Sequence, residues 1–448
     1  MSDAHHAAED RREHPHQQAH PKGNSASGEG AGTERAAVAV VTGSRADFGL
    51  LRPVMLAIAA SPELELAVIA AGSHLVSRGH TYRDVKREFE IAAAVPMQVA
   101  GRTGREADAE AVGVGVGRFV RAFQHLKPRC VLVLGDRIEA FAAAAAASVG
   151  GWRLAHVHGG DRAEGVADEA MRHAITKLAH VHFAATPMSG ERIVRMGEVE
   201  ESVHVVGSPA IDGLRDVPVL DEKMFAELGR PGTIVLHHPV GMSDAQEELL
   251  ARSVLAAAIQ AGSPVLVLDP NLDPGRDGII RAIDDVLRTP GIEALGGPAA
   301  ASIVRWPHLT REKFLGLLKR LAKRDQEGRT GVIVGNSSAA LIECAALGVP
   351  AVNIGPRQSG RERFANVVDV DVGVDVDARG EAVRGAIGEA IRQARSLPSG
   401  ALDSPASRDA YGDGQAGERI AEILARTLKR GGPDVNVADQ PPRKRNTY

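Results

Sequence analysis

Aromatic side chains are scarce in this chain: 9 Phe, 3 Tyr and 2 Trp among 448 residues. A core of ordinary size must therefore be assembled from Ala, Val, Leu and Ile. Cysteine is nearly absent as well. Only Cys130 and Cys344 occur, both in apolar surroundings, so neither a disulfide framework nor a thiolate metal site is expected, and a reducing compartment is. No apolar run reaches the about 18 residues that a membrane span needs. The N-terminus lacks the apolar stretch of a signal peptide. Charge of one sign is also missing: the formal net charge of −4 argues against a general nucleic-acid or membrane surface. These absences leave a globular protein, expected in the cytoplasm, whose 44% apolar content is ordinary.

At the usual ~100–200 residues per domain, the length suits two domains. Residues 1–35 are polar, with five histidines (His5, His6, His14, His16, His20) and a Gly/Ser run. Such composition reads as a disordered, solvated tail, as do residues 431–448. Between the tails, short apolar runs alternate with helical patterns. AVAVVTG (37–43), LELAVIAAG (64–72), CVLVLG (130–135) and RLAHVHGG (153–160) are each followed by a helical stretch, and VHFAAT and VHVVGSP come after. In DEAMRHAITKLAH, Met171, Ala174, Ile175, Leu178 and Ala179 share one face at helical spacing. The cycle restarts with TIVLHHP (233–239), PVLVLDPN (264–271), SIVRWP (302–307), GVIVGNSS (331–338) and PAVNIG (350–355). Alternation with buried apolar strands means two parallel sheets covered on both faces. The expected fold class is α/β, with two Rossmann-like domains facing a cleft. The expected divisions are 36–211, 212–413 and a terminal helix over 414–430.

Ligands of such sheets bind at the carboxyl ends of the strands, and that rule selects residues. In the first half it selects Ser44, Arg45, Asp47, His74, Asp136, Arg137, His158 and Asp161. In the second it selects His237, His238, Asn271, Asp273, Asn336, Ser337, Ser338 and Arg357. Gly335-Asn336-Ser337-Ser338 precedes SAALIECAALG, which reads as one helix whose N-terminus suits a phosphate; as a plain helix cap the same residues are unremarkable. Glu343 within that helix can accept hydrogen bonds from ribose hydroxyls, or can be a paired core glutamate. Arg357 and Arg361 add positive charge nearby. The first-half set is acidic and histidine-bearing: Asp136, Asp161, Asp168 and His158, with His238 expected to face them from the other half. Carboxylates and imidazoles together are what proton transfer at a sugar needs. Asp168 and Arg172 sit one turn apart, where a surface ion pair is the plainer alternative. The sequence has no GxGxxG fingerprint with its distant acidic residue, no GxxxxGK[ST] and no zinc-ligand spacing, so no NAD, P-loop ATP chemistry, metal or other cofactor is expected.

GSRADFGLLRPVM, GSHLVSRGHTYRDV, GDRIEAFA, HGGD…DEAMRHAITKLAHVHF, GSPAID, HHPV, DPNLDPG, GNSSAALIECAALGVPAVNIGPRQSGRE and YGDG, in this order, resemble the UDP-N-acetylglucosamine 2-epimerases over about residues 37–428. The resemblance implies a GT-B fold, with UDP held mainly by the second domain. HHPV and RHAITKLAHVHF look like the hydrolysing branch, which releases UDP and N-acetylmannosamine, or acts on a 2,4-diacetamido-trideoxy analogue. The HVEAGLRT and HRREN-like motifs of the non-hydrolysing branch are absent. The resemblance implies Asp136 and Asp168 as acid/base groups and His238 as the aid to the leaving phosphate. It implies Arg45, Ser337, Ser338, Glu343 and Arg357 as UDP contacts; His74, Arg137, Arg172, Asn271 and Asp273 belong to matching loops around the substrate. A homodimer is the state it suggests.

The chain departs from the family pattern at one informative place. Relatives typically read HIEGGE, with the first Glu implicated in proton transfer; here His158 and Asp161 stand at the two acidic positions. Histidine can move protons near neutral pH, and Asp161 can reach into the vacated place. Leu50 stands where many relatives have Lys. The competing expectations are a non-hydrolysing epimerase, a GT-B glycosyltransferase, and a UDP-binding protein without turnover.

Overall fold

The computed structural model describes residues 35–429 and 444, leaving out 77–80, 103, 164–167, 272, 289–301, 326–327 and 373–379. Both terminal stretches expected to be disordered lie outside the described residues, Arg35 and Lys444 excepted. Among those described, no helix is long and apolar enough to cross a membrane.

Two wholly parallel sheets form the frame. The first contains β1 (Ala36–Thr42), β2 (Leu64–Ala71), β3 (Ile91–Val95), β4 (Cys130–Leu134), β5 (Leu154–Val157), β6 (Val181–Ala184) and β7 (Val203–Val205). Its spatial order is β3-β2-β1-β4-β5-β6-β7. The second contains β8 (Thr233–Leu236), β9 (Val265–Leu268), β10 (Ile303–Trp306), β11 (Val332–Gly335), β12 (Ala351–Ile354) and β13 (Val367–Val370). It is ordered β10-β9-β8-β11-β12-β13. The central strands are continuous buried runs because helices cover both faces; Val131, Leu132, Val133, Ile333 and Val334 are all essentially inaccessible. Each such side chain contributes roughly 1.5–3 kcal/mol on burial. Ala142, Ala143, Ala146 and Ala147 let the helix Ile138–Val149 lie close against the first sheet.

In both sheets the chain winds outward from one central strand and then returns beside it, between β1 and β4 and between β8 and β11. These reversals open crevices at the strands' carboxyl ends. The loops expected to carry chemistry, after β1, β4, β8 and β11, therefore flank the two crevices.

Two stretches of chain join the halves and hold each other. Ser208 N–H donates to the Tyr411 carbonyl at 2.7 Å. Asp212 accepts from Ala416 N at 3.0 Å and Gly417 N at 2.6 Å, capping the last helix, Ala416–Lys429. That helix does not stay with the second sheet. Ile420, Leu424 and Leu428 enter the first sheet's core beside Phe48, Leu51 and Met55. Gly417 is required there because a Cβ would lie 2.8 Å from the Pro53 backbone.

One local expectation is corrected. The stretch after Asn336 is not a single helix: a 3-10 turn, Ser338–Ala340, is followed by a separate short helix, Glu343–Leu347. Ile342, at φ −97° and ψ −72°, breaks the regular path between them. Glu343 thus opens a helix instead of sitting within one.

Candidate active site

Asp136 lies just beyond β4, where Gly135 adopts φ +74° and turns the chain. Its carboxylate is paired with Arg172, which reaches it from the helix Asp168–Leu178. Arg172 is buried and also donates to the His158 carbonyl at 3.3 Å. One guanidinium thus ties the ends of β4 and β5 to the helix. Asp168 is the first residue of that helix; its side chain lies outside the described residues. The Gly135 turn that leads into Asp136 is held by His156, whose Nε2 is 2.8 Å from the Gly135 carbonyl.

Burial pushes His156 down to about 3 and His237 down to about 4. Both imidazoles are neutral in the folded chain, whereas an unfolded histidine takes up a proton near 6.5. Folding is therefore favoured fully above that value and loses support as the pH falls toward 4. Each such histidine contributes a slope of ~1.4 kcal/mol per pH unit in that window. Urea titrations between pH 6 and 5 should show unfolding free energy dropping by about 2–3 kcal/mol from these two groups. A flat profile would contradict the buried neutral assignment.

His158 sits at φ +64°, a left-handed conformation rarely adopted outside glycine. Both ring nitrogens are engaged: Nδ1 lies 2.9 Å from Asp161 Oδ2 and Nε2 lies 3.0 Å from Ser208 Oγ. Asp161 also accepts from Ser189 Oγ at 2.8 Å and pairs with Arg361 of the second half at 3.6 Å. Burial alone would raise the Asp161 carboxyl. The opposing pull of His158, Arg361 and Arg172 holds it well below the usual carboxylate range. Ser208, His158 and Asp161 are strung together as in a hydrolytic triad. However, Ser208 is fully buried and its Oγ accepts from Ala210 N at 3.1 Å. An acyl substrate has no path to it. The sequence does not disclose this arrangement, because Ser208 and Arg361 are far from His158 along the chain.

In the second half, His238 N–H donates to Asn336 Oδ1 at 2.7 Å, and Asn336 Nδ2 returns a bond to the His238 carbonyl at 2.8 Å. His238 Nδ1 accepts from Asn271 N–H at 3.1 Å. The neutral ring therefore carries its proton on Nε2. Burial, then Arg357 and His237, hold this imidazole well below its ordinary value, so it acts as a neutral donor. Asn271 bonds Asp273 within the same loop. Arg357 donates to the Asn336 carbonyl at 3.2 Å. Ser337 is buried with its hydroxyl capping the 3-10 turn, and Ser338 is half-buried beside it. Glu343 pairs with Arg311 at 3.2 Å, and Arg311 also bonds the Ala210 carbonyl in the crossing segment.

The halves meet at Asp273. Its carboxylate lies 3.4 Å from Arg137 of the first half and 4.0 Å from Arg357 of the second. Arg137 immediately follows Asp136, so the first-half acid and the Asn336–Ser338 turn border one crevice.

The ends of β1 and β2 are organised differently from the rest. Asp47 collects the amides of Gly43 (2.8 Å), Ser44 (2.7 Å) and Phe48 (2.8 Å), which occupies them internally. His74 is buried between Thr42 (2.9 Å) and Thr81 (2.6 Å), with both nitrogens used. It supports the loop and does not present a nitrogen to a ligand. Arg45 is exposed, and its charge acts on His308 of the second half. Glu139 is a residue that strand-end reasoning misses, since it reads as an ordinary first-turn acid. It is fully buried, accepts from Ser73 N–H at 3.3 Å and packs against Gly43 and Gly72, where a Cβ would approach to 2.5 Å and 2.2 Å. Burial raises its carboxyl. Among the described residues no group of three or more His, Cys, Asp or Glu is placed to hold a metal.

Two facing parallel α/β halves, with acids at one set of strand ends and a hydroxyl-bearing turn at the other, define a GT-B-like protein. Solved structures of that fold superpose on most of the chain. A Methanocaldococcus jannaschii UDP-GlcNAc 2-epimerase in complex with UDP-GlcNAc and UDP matches with a TM-score of 0.68 at 17% identity, covering 87% of this chain and 99% of that one. A Neisseria meningitidis UDP-GlcNAc 2-epimerase bound to UDP-GlcNAc matches at 0.65 and 18%, covering 87% and 100%. The model of the family described as UDP-N-acetylglucosamine 2-epimerase matches residues 56–425. A UDP-N,N'-diacetylbacillosamine 2-epimerase (hydrolyzing) of Legionella pneumophila is 32% identical, over 86% of this chain and 94% of the relative. A UDP-N-acetylglucosamine 2-epimerase of Neisseria meningitidis serogroup B is 30% identical, over 86% and 93%. The chain belongs to the UDP-N-acetylglucosamine 2-epimerase family, on its hydrolysing branch.

Proposed function

We propose that this chain converts a UDP-2-acetamido sugar and water into UDP and the free 2-epimeric sugar. The C2 proton of the substrate is too weakly acidic to be removed first. Departure of UDP builds positive charge at C1, and C2–H then becomes removable by a carboxylate. The C1–O bond breaks with its electron pair leaving on the diphosphate, and the C2–H pair forms the C1–C2 double bond of a 2-acetamidoglucal. Water then adds its oxygen to C1 and gives up one proton to a carboxylate base, while an acid delivers a proton to C2 from the face that gives the manno sugar.

Asp136 and Asp168 are the proposed acid/base pair, within the reach of general acid–base catalysis. His238 Nε2–H is the proposed donor to the departing phosphate oxygen. Ser337, Ser338 and Arg357 cradle the diphosphate, Arg45 approaches it from the first half, and Glu343, steadied by Arg311, meets the ribose. His158 and Asp161 hold β5 and the facing half in place, because the ring nitrogens of His158 are already bonded. The observation that carries this reading is Asp273 shared by Arg137 and Arg357, which puts Asp136 and the nucleotide turn on one crevice.

The relatives favour two substrates. Those named for UDP-N,N'-diacetylbacillosamine, at 32% and 27% identity, support a 2,4-diacetamido sugar; the Neisseria relative at 30% supports UDP-GlcNAc. We place the enzyme in the cytoplasm as a homodimer. The compartment is supported by two buried free thiols, Cys130 and Cys344. Incubation with each nucleotide sugar in D₂O, followed by NMR, tests the function. The expected product is free manno sugar bearing deuterium at C2, with one UDP released per sugar. UDP-linked product without free UDP would move the chain to the non-hydrolysing branch. Transfer to an acceptor with C2 unchanged would make it a glycosyltransferase.

A further inference from the structure

The segment 355–363, between β12 and β13, touches both the nucleotide side and the first half. Near its start, Arg357 and Gln358 donate to the Asn336 carbonyl at 3.2 Å and 2.9 Å, gripping the turn that carries Ser337 and Ser338. A few residues on, Gly360 accepts from Arg192 at 3.3 Å and packs on Arg162. With φ +79° and a would-be Cβ 2.8 Å from Arg162, only glycine fits there. Arg361 then pairs with Asp161 at 3.6 Å. Glu362 accepts from Thr186 Oγ1 at 2.7 Å and pairs with Arg192 at 3.5 Å.

We propose that this segment couples occupation of the nucleotide pocket to placement of the proton-transfer groups, with Arg361 and Glu362 as positioning residues. The coupling rests on the hydrolysing reaction proposed above. Arg361 and Asp161 are almost wholly buried, with side chains 7% and 2% exposed. A buried ion pair of this kind gains little net stability, because desolvation offsets the attraction; its better-attested use is to fix register. Here the register is that of one half against the other. From Asp161 the chain of contacts runs through the His158 ring to its backbone carbonyl, and from there through Arg172 to Asp136. A diphosphate seated on Ser337 and Ser338 meets the other end of the same chain. A diphosphate that steadies the Asn336 turn thereby steadies the contacts of 360–362 with the first half, and Asp136 is held in line with the sugar.

Three measurements test this in the full chain: UDP affinity by calorimetry, hydrogen exchange of 158–161 and 186–192 with and without UDP, and steady-state kinetics. In the parent protein UDP should slow exchange in both first-half stretches. Arg361→Gln and Glu362→Gln should each bind UDP within about threefold of the parent yet lose that distant slowing. Their kcat should fall about 10- to 100-fold with KM little changed, the scale of a small misplacement of reacting groups. Thr186→Val cuts the same contact from the opposite side without touching the segment, and should repeat the pattern if the charge variants unfold. UDP binding with no slowing in the parent, or full kcat in Glu362→Gln and Thr186→Val, overturns the coupling while leaving the reaction intact. Failure of the parent to bind UDP overturns the reaction and the coupling together, so the two failures are told apart.

Discussion

Asp136→Asn is expected to lower kcat by about 10²–10⁴ while leaving UDP affinity within a few-fold, and Asp168→Asn to do the same. Asparagine keeps the size of the side chain and can still accept a hydrogen bond from Arg172, so the fold at the end of β4 is preserved. It cannot exchange a proton with C2. Because most of the proposed UDP contacts lie in the second half, calorimetric binding of UDP should barely change, and the loss should fall on kcat. In the D₂O experiment the residual turnover should also show slower deuterium entry at C2. Near-parental rates in both variants would remove the carboxylates from the mechanism. A loss of UDP binding equal to the loss of kcat would instead make them structural.

The second large effect is expected at His238. Its Nδ1 is occupied by the Asn271 amide, so only Nε2–H is left to donate. His238→Asn places an amide oxygen near the Nδ1 position and can keep the Asn271 bond, but it shortens the donor reach. His238→Gln reverses the trade by extending a donor toward the Nε2 position. If Nε2–H stabilises the departing diphosphate, Asn should cost about 10²–10³ in kcat, the usual loss for one donor at a developing anion. Gln should recover part of that loss. Burial keeps the imidazole neutral well below its ordinary range, so no kinetic step near pH 6.5 should vanish in either variant. An Asn variant within threefold of the parent would sink the assignment.

Most of the frame was legible as apolar runs, because strands buried on both faces cannot hide their composition. Two of the four edge strands, β3 and β13, were not. β3 alternates half-buried and exposed residues, and β13 carries Asp369 within four residues, so neither reads as a continuous run. The break at Ile342 was also invisible, since SAALIECAALG has good helical periodicity and only the backbone path reveals the interruption. At the site, the strand-end rule brought out Asp136, His158, Asp161, His238 and Asp273 because topology fixes where such residues go. Partners were a different matter. Arg172 was placed in a loop around the substrate, with an ion pair to Asp168 as the plainer alternative, and the structure pairs it with Asp136 at the end of the neighbouring strand. Arg361 was read only as positive charge near the nucleotide turn, and the structure pairs it with Asp161. Ion pairs formed between distant segments depend on how the halves are docked, which no local pattern encodes.

The closing helix belongs to the hydrophobic interior of the opening sheet, so the first lobe is completed only by the carboxyl-terminal stretch of the polypeptide. No single cut can therefore liberate either lobe intact. A ribosome leaving this message must finish the second lobe before the first can seal, which makes the second lobe an insertion within its partner and not a neighbour downstream of it.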